Sequence, residues 1–304
     1  MRSSTLFLVV LAFGSLFLSC KKKNAVFSDN EIPPYNEVPS ILVENYVNRL
    51  FIDLIGREPT NVEMANEVNA LKAASLSVPS RTVLIDKLML STEPIEGDGS
   101  YNEGYFRKFH GDMKGRYLNG ASENDLIEAY NLYRAVAVQD SLNGNVIAYQ
   151  LTLQEANKIK AVSDSREQLR LGTISVDEMS RRMMFNLIYD NINMNTFNFI
   201  NASFDDCFLR FPTQNEMDLA YEPVESNIAG ALFGTIISSK TEYLNVLTSS
   251  EEFKEGMIRW VYLSYLQREP STSELYYLLD DFSNGYNTQV IQKTILISNE
   301  YAGF

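Results

Sequence analysis

Arg57-Glu58-Pro59-Thr60-Asn61-Val62-Glu63-Met64 is the stretch whose reading decides the fold, and the chain writes it three times. The second copy is Arg210-Phe211-Pro212-Thr213-Gln214-Asn215-Glu216-Met217, the third Arg268-Glu269-Pro270-Ser271-Thr272-Ser273-Glu274-Leu275. In the first copy Val43, Val47, Leu50 and Leu54 recur at helical spacing before the arginine. The arginine reads as a last-turn cation at the negative end of that helix. The proline then forbids continuation and pushes the preceding residue out of helical geometry. Thr60, Thr213 and Ser271 follow as N-caps, with Glu63, Glu216 and Glu274 three residues on, the signature of a capping box. Each copy therefore predicts one helix–tight turn–helix corner.

A second marker trails each corner. It is Leu90-Ser91-Thr92-Glu93 after the first, Ser249-Ser250-Glu251-Glu252-Phe253 after the second and Ile297-Ser298-Asn299-Glu300-Tyr301 after the third. Each closes an apolar run, Val83 to Leu90, Ile228 to Leu247 and Val290 to Ile297. The spacing from corner to marker, 34, 39 and 30 residues, suits helical modules that share a core. From Val38 onward no sustained two-residue alternation of β-branched residues appears, and Asp98-Gly99 and Asn119-Gly120 read as helix connectors. The expected fold is all-α: three helix-turn-helix repeat units plus an inserted helical region. Residues 40–120 form the first unit with an extension, 121–195 the insertion of long helices, and 196–304 the second and third units. Within the insertion, Ser122 and Ser175 read as caps. Gln150 to Arg170 reads as a surface helix or as two helices broken near Ser163-Asp164-Ser165. The insertion is the expected place for partner contact.

Hydrophobic residues make up 45% and aromatic residues 12% of the 304, enough for a core and against disorder. The net charge of −13 argues against nucleic acid and against a broad basic membrane-binding face. At the N-terminus Arg2 precedes an apolar run from Leu6 to Leu18, too short to span a bilayer, and then Ser19-Cys20. This is the pattern of a secretion signal. With Cys20 directly after it, the segment resembles the signal of bacterial lipoproteins, although Phe17 and Leu18 depart from the commonest residues. The resemblance implies cleavage after residue 19, lipidation of Cys20 and a membrane attachment through that lipid; Arg2 leaves with the signal, so the mature charge becomes −14. Lys21-Lys22-Lys23 resembles neither an inner-membrane retention signal nor an acidic surface-export signal, which implies an outer-membrane lipoprotein facing the periplasm. Residues 20–39, with Pro33, Pro34 and Pro39, read as an extended tether.

A second resemblance spans about Val43 to Gly120. Asp53-Leu54-Ile55-Gly56-Arg57, Pro59-Thr60, Glu63 and then Gly104, His110 and Arg116-Tyr117 resemble the domain of unknown function that accompanies cytochrome c domains in planctomycete proteins. Asp112 stands four residues before Arg116 where that family has three, and the loop before Gly104 is longer. The third unit, Met257 to Tyr301, is similar to the short helical repeat of unknown function in S-layer and haemolysin-type secreted proteins. More loosely it is similar to phycobilisome linker modules. These families imply helical assembly pieces and bring no settled activity.

His110 is the only histidine and Cys207 the only cysteine besides Cys20, so a zinc site and an internal disulfide are not expected. Cys207 lies on the apolar stripe of Ile200, Phe204, Phe208 and Phe211 and reads as a small buried hydrophobe. No Cys-x-x-Cys-His, glycine-rich phosphate loop or nucleophile elbow is present, and no cofactor is expected. Arg107, Lys108, Lys114 and Arg116 make a local basic helix around His110 and Asp112. Two readings stay open: a partner or anion site at Arg107, His110, Asp112 and Arg116, or a solvated face with His110 bonded to a neighbour. The carboxylate pairs Asp205-Asp206, Glu251-Glu252 and Asp280-Asp281 are sequence neighbours that diverge on a helix, and read as solvated or capping charges. Tyr276, Tyr277 and Tyr286 are candidates for stacking on a glycan, or for core and rim. The expected function is a lipid-anchored, non-enzymatic structural or adaptor protein with a protein partner in the cell envelope. The alternatives are a glycan-binding lipoprotein beside an outer-membrane transporter and an accessory subunit of a redox or hydrolytic complex.

Overall fold

The computed structural model describes residues 38–97, 99–283 and 285–304; Cys20, the signal and nearly all of the tether lie outside them. The fold is all-α, as the periodicity predicts. Among the described residues are fifteen helices and two short antiparallel hairpins. The first corner joins α1 (Ser40–Ile55) to α2 (Asn61–Ala73), and α3 (Val78–Leu90) follows. A hairpin of β1 (Pro94–Ile95) and β2 (Gly99–Ser100) leads into α4 (Tyr101–Tyr117). The insertion is α5 (Glu123–Leu142), α6 (Val146–Arg170), α7 (Val176–Met184) and α8 (Leu187–Asn193). The second corner joins α9 (Thr196–Phe208) to α10 (Gln214–Ser226), and a hairpin of β3 (Gly230–Leu232) and β4 (Thr235–Ile237) precedes α11 (Lys240–Ser249). The third corner joins α12 (Glu251–Leu266) to α13 (Thr272–Ser283), ahead of α14 (Thr288–Leu296) and α15 (Asn299–Ala302).

The three corners share one geometry, and it corrects the expected role of the arginine. Each incoming helix ends before the arginine, at Ile55, Phe208 and Leu266. The next residue, Gly56, Leu209 or Gln267, turns the chain through the left-handed region, with φ of 82°, 57° and 56°. The arginine thus lies beyond the helix and acts on the corner itself, not on the preceding dipole. Arg57 donates from Nη1 and Nη2 to the two oxygens of Glu63, both at 2.8 Å. Arg210 holds Glu216 at 2.9 and 2.8 Å, and Arg268 holds Glu274 at 3.0 and 2.8 Å. Each Nη1 also donates to the next residue's carbonyl, on Glu58, Phe211 and Glu269. The same glutamates accept the backbone N–H of Thr60, Thr213 and Ser271 at 2.6–2.7 Å, and those residues' hydroxyls accept back from Glu63, Glu216 and Glu274. The capping box is therefore locked by a bidentate guanidinium, a stronger arrangement than the cap alone.

The trailing markers have a matching purpose in the second and third copies. Ser250 caps α12 and Ser298 caps α15, each through its Oγ. Glu252 and Glu300, two residues on, reach back to Arg210 and Arg268, taking the Nε–Nη2 edge that the capping glutamate leaves open. In the first copy Ser91 ends α3, the hairpin intervenes, and Ser100 caps α4. There Tyr101 donates its hydroxyl to Glu63 at 2.7 Å. Helix α12 closes the second corner and opens the third, so those two units share it. The crossing of α9 and α12 is close: a Cβ on Gly256 would sit 2.1 Å from the Cys207 carbonyl oxygen.

The hairpins correct the expectation of helix throughout. The run from Ile228 to Leu247 contains β3 and β4 before α11 begins, and Gly99 belongs to a strand, not a helix connector. The stretch Gln150 to Arg170 belongs to one unbroken helix with Ser165 fully buried. Ser122 forms a complete capping box with Asp125, whereas Ser175 makes no capping hydrogen bond to the backbone of α7.

Sequence ends meet in space. Tyr46 donates to the Leu296 carbonyl at 3.1 Å, and Arg49 donates to the carbonyls of Tyr301 and Tyr265 at 3.0 and 2.9 Å. Tyr301 donates to Asp53 at 2.7 Å, and Lys293 pairs with Asp86 at 2.6 Å. Residues Ser40–Phe304 accordingly form one compact unit.

Two predictions follow from this framework. Gly256→Ala should cost about 3 kcal/mol by urea denaturation, because the α9–α12 crossing must open. Burial pushes the Glu63 carboxyl up, but Arg57, the Thr60 amide and Tyr101 outweigh it and hold it at about 2. Arg210 and Arg268 hold Glu216 and Glu274 at about 2 as well. These depressed values give stability that is full above about 4.5 and is lost as pH falls toward 2. Replacing all three glutamates with Gln should flatten the stability profile between those limits while lowering stability at neutral pH.

Candidate functional site

Helix α4 carries all four residues of the expected site, but at 100° per residue Arg107 and His110 fall on one side of it and Asp112 and Arg116 on the other. Arg107 is exposed, whereas His110 is 2% exposed and faces α6. His110 Nε2 lies 2.9 Å from the Val162 carbonyl and 3.2 Å from Ser165 Oγ. The carbonyl can only accept, so Nε2 carries the proton and donates it. Burial lowers the imidazole to about 4, leaving it neutral at neutral pH. Asp112 turns back to its own helix and takes Lys108 Nζ at 2.6 Å; burial raises its carboxyl and the ammonium partly offsets this. Lys114 is buried with its ammonium 3.2 Å from Glu123 at the start of α5.

Arg116 faces α12. Its guanidinium sits 5.3 Å over the Trp260 ring and 5.5 Å over Tyr117, and Nη1 donates to Met257 Sδ at 3.4 Å. Its Nε and Nη2 are buried without a protein partner, as are the hydroxyls of Tyr117 and Ser180. The structure thus spends His110 on one helix interface, Asp112 on an intrahelical pair and Arg116 on another interface. The four residues do not form a common site, and the reading of His110 as a bonded structural residue is the one the geometry supports.

One acidic pair departs from the solvated reading. Asp205 is exposed, but Asp206 is largely enclosed and accepts the Tyr189 hydroxyl at 2.7 Å. Burial raises its carboxyl to about 7, with Tyr189 and Arg116 acting in the opposite direction. Glu252 is likewise a structural ion-pair partner, as described above. Cys207 is fully buried with Sγ 3.7 Å from Met184 Sδ, and burial pushes its thiol up. Among the described residues no three His, Cys, Asp or Glu side chains gather as a metal ligand set. No described helix is long and apolar enough to cross a membrane.

Among the described residues, three surface grooves exceed about 400 Å³. A cleft of about 560 Å³ lies between Tyr105 and Phe106 of α4, the turn after α6 and residues 285–289. A groove of about 530 Å³ runs between α6 and α7, where Lys158 pairs with Glu155, Lys160 with Asp164, and Arg181 and Arg182 share Glu178. The third, about 430 Å³, lies beside the third corner and includes Tyr262 and Tyr277. Tyr276 and Tyr277 are exposed, but Tyr286 packs its ring against Phe282 and Phe253 at 5.5 and 6.3 Å and is a core-edge residue.

The feature that sequence reasoning placed only loosely is an arm. Helices α5 and α6 form an antiparallel hairpin, and among the described residues α5 packs on α6 with no comparable contact to another helix. Only Leu126 and Ala137 of α5 are buried. The buried residues of α6 are Ala156, Ile159, Val162 and Ser165, and none of the first ten residues of the helix is buried. With 25 residues α6 is about 37 Å long, so its first half reaches away from the core. The distal end exposes Val136, Val138, Leu142, Val146, Ile147 and Leu151. The signal was in the sequence: the apolar residues of α5 are spread around the helix, and no Lys or Arg occurs between Arg134 and Lys158.

Compared with protein-family models, curated proteins and solved structures, the chain shows no significant match.

The two buried titrating groups carry opposite pH signatures. Free histidine takes a proton near 6.5 and His110 only near 4, so its contribution is lost as pH falls through that window. Asp206 takes its proton at about 7 when folded against an ordinary 3.8, so its contribution is full below 3.8 and lost as pH rises through 7. Asp206→Asn should therefore raise the melting temperature relative to wild type most at pH 8, less at pH 5, and leave it nearly unchanged below 3.8, measured by thermal denaturation across that range.

Proposed function

We propose that this chain is a lipid-anchored structural or adaptor protein of a bacterial cell-envelope assembly, with no reaction of its own. The observation that carries this reading is the α5–α6 arm. The two helices span Glu123–Leu142 and Val146–Arg170, and no residue from 138 to 155 is buried. Holding so long a hairpin away from a core brings no folding benefit commensurate with the chain it orders. It makes sense as a contact element held at a distance. The body supplies the rigid base for it. The bidentate corners fix the helix pairs, and the contacts of Tyr46, Arg49 and Lys293 tie the first and last units together.

The distribution of polar groups supports the same reading. Arg210 and Arg268 are each committed to two glutamates, His110 to the α4–α6 interface and Cys207 to the core. The resemblance of the third unit to assembly modules agrees with an adaptor. Cys20, outside the described residues, would supply the lipid, the tether would give reach, and the basic residues after it favour the outer membrane with the protein facing the periplasm.

The test is crosslinking in intact cells of a C-terminally tagged chain, followed by purification in mild detergent. One envelope protein should co-purify at near-equal amount, and deleting the distal arm should reduce its recovery several-fold while the body stays folded. A turnover that disappears in Arg116→Ala or His110→Ala, with the arm dispensable, would refute the adaptor reading.

A further inference from the structure

The distal end of the arm has a composition and geometry that select among contacts. From residue 135 to residue 157 there is no Lys or Arg, in a chain that carries 26 of them, and the acids there are Asp140 and Glu155 alone. Leu142 and Ile147 are 77% and 75% exposed, beside exposed Val136, Val138, Val146 and Leu151. Helical spacing places Val138 and Leu142 on one flank of α5 and Val136 on the other, and separates Val146 from Ile147 and Leu151 in the same way on α6. The end is therefore apolar on both faces of the hairpin. A flat partner, or a second copy of the arm laid alongside, covers one face and leaves the other in water. A fluid apolar layer covers both.

The turn itself is suited to that surrounding. In hydrocarbon a backbone donor must find its partner inside the protein, whereas at the headgroup boundary water and lipid oxygens also serve. Asn143 donates to the Gln139 carbonyl at 3.0 Å, Gly144 to Ser141 at 3.1 Å, Asn145 to Asp140 at 2.9 Å and Val146 to Gly144 at 3.0 Å. These four amides are thus closed locally, whereas those of Ile147 and Ala148, in the first turn of α6 that Asn145 leaves without a side-chain cap, are open to water or headgroup oxygens. Asp140, the charged residue nearest the turn, is half-buried and within 3.4 Å of the Thr152 hydroxyl. Val136 and Leu151 lie six or seven residues from the turn, about 10 Å along the helices. That depth matches the 5–10 Å to which interfacial elements enter the headgroup–acyl boundary. Apart from Asp140, which lies within this band, the charged residues Arg134, Glu155 and Lys158 begin where it ends.

We propose that the end of the α5–α6 arm enters the interfacial layer of a lipid bilayer, attaching the body to a membrane independently of any lipid on Cys20. This rests on the reading of the arm as a contact element and names the apolar phase that it contacts. Association is driven by apolar burial, not by charge, since the end carries no cation to meet anionic lipid.

The probe is vesicles of phosphatidylcholine and phosphatidylethanolamine, mixed with the compact unit from residue 38 to 304, which lacks Cys20. Co-flotation should recover the protein with the vesicles to a similar extent at low and high salt. Leu142→Asn with Ile147→Asn should lower partitioning by about ten-fold. Both side chains are exposed, so helical circular dichroism and melting should stay at wild-type values; Val83→Asn with Val62→Asn, exposed on the body, is the matched control and should float normally. Absence of flotation, or flotation that survives the arm variant, overturns the proposal. A concentration-dependent dimer in sedimentation, lost in the arm variant and without vesicle binding, overturns it in favour of a second copy. The vesicle assay contains no envelope protein, so its failure is separable from failure of the co-purification that tests the adaptor reading.

Discussion

The bidentate pair between a corner arginine and the glutamate six residues on is the interaction from which the rest of the body is built. It joins what a capping box does for one helix to what an ion pair does between two. The glutamate ties the new helix's first amides, and the guanidinium ties the glutamate to the chain leaving the previous helix. A corner held this way fixes the crossing of two helices before either has packed on anything else. In the second and third copies the arginine's remaining edge takes a second glutamate from the helix that closes the unit. The local corner is thereby linked to a residue 42 or 32 positions away. Such pairs lie near the surface and each contributes modestly. Their strength here lies in geometry: planar forks with two and three acceptors, partly shielded, repeated at every corner.

Around that frame the polar side chains of the interior serve packing. His110 is neutral between α4 and α6, Tyr189 holds a raised Asp206 carboxyl, and Arg116 lies over Trp260. Opposite pH signatures of His110 and Asp206 arise from one cause, the loss of water around the charged form. Burial disfavours imidazolium and carboxylate alike, which lowers the one and raises the other. The arm differs in kind. It is ordered by its own pairing, carries little of the core, and ends in a turn flanked by exposed apolar residues with no Lys or Arg. Function on this chain is therefore sought at the end of the arm and not in the helix that bears its single histidine.

Much of the body was legible from local pattern. Three occurrences of Arg-x-Pro-Ser/Thr-x-x-Glu predicted three corners, and capping chemistry is local enough to be read without a structure. The precise partner of the arginine was not, because the reading stopped at the helix dipole and did not ask what a fork of donors does beside a carboxylate six residues later. The two hairpins were missed because strands of two or three residues carry no periodicity. The arm was half legible: the insertion stood out, but its exposed end depends on which of its apolar residues find neighbours. The expected cluster on α4 divides between two sides of the helix, Arg107 with His110 and Asp112 with Arg116, and His110, Asp112 and Arg116 each take a different neighbour.

By itself the sequence determined the helical class, the three corners, the caps at Thr60, Thr213 and Ser271 and the buried place of Cys207. Each of these is settled within about one turn of helix by hydrogen-bond satisfaction or apolar spacing. Tertiary structure alone decided that α12 serves two corners, that the first and last units meet through Tyr46, Arg49 and Tyr301, and that His110 is a neutral interface residue. It alone left the end of α5 and α6 uncovered. Those outcomes depend on which surfaces meet across 32 to 252 residues, and burial, unlike capping, is not a property of any short stretch.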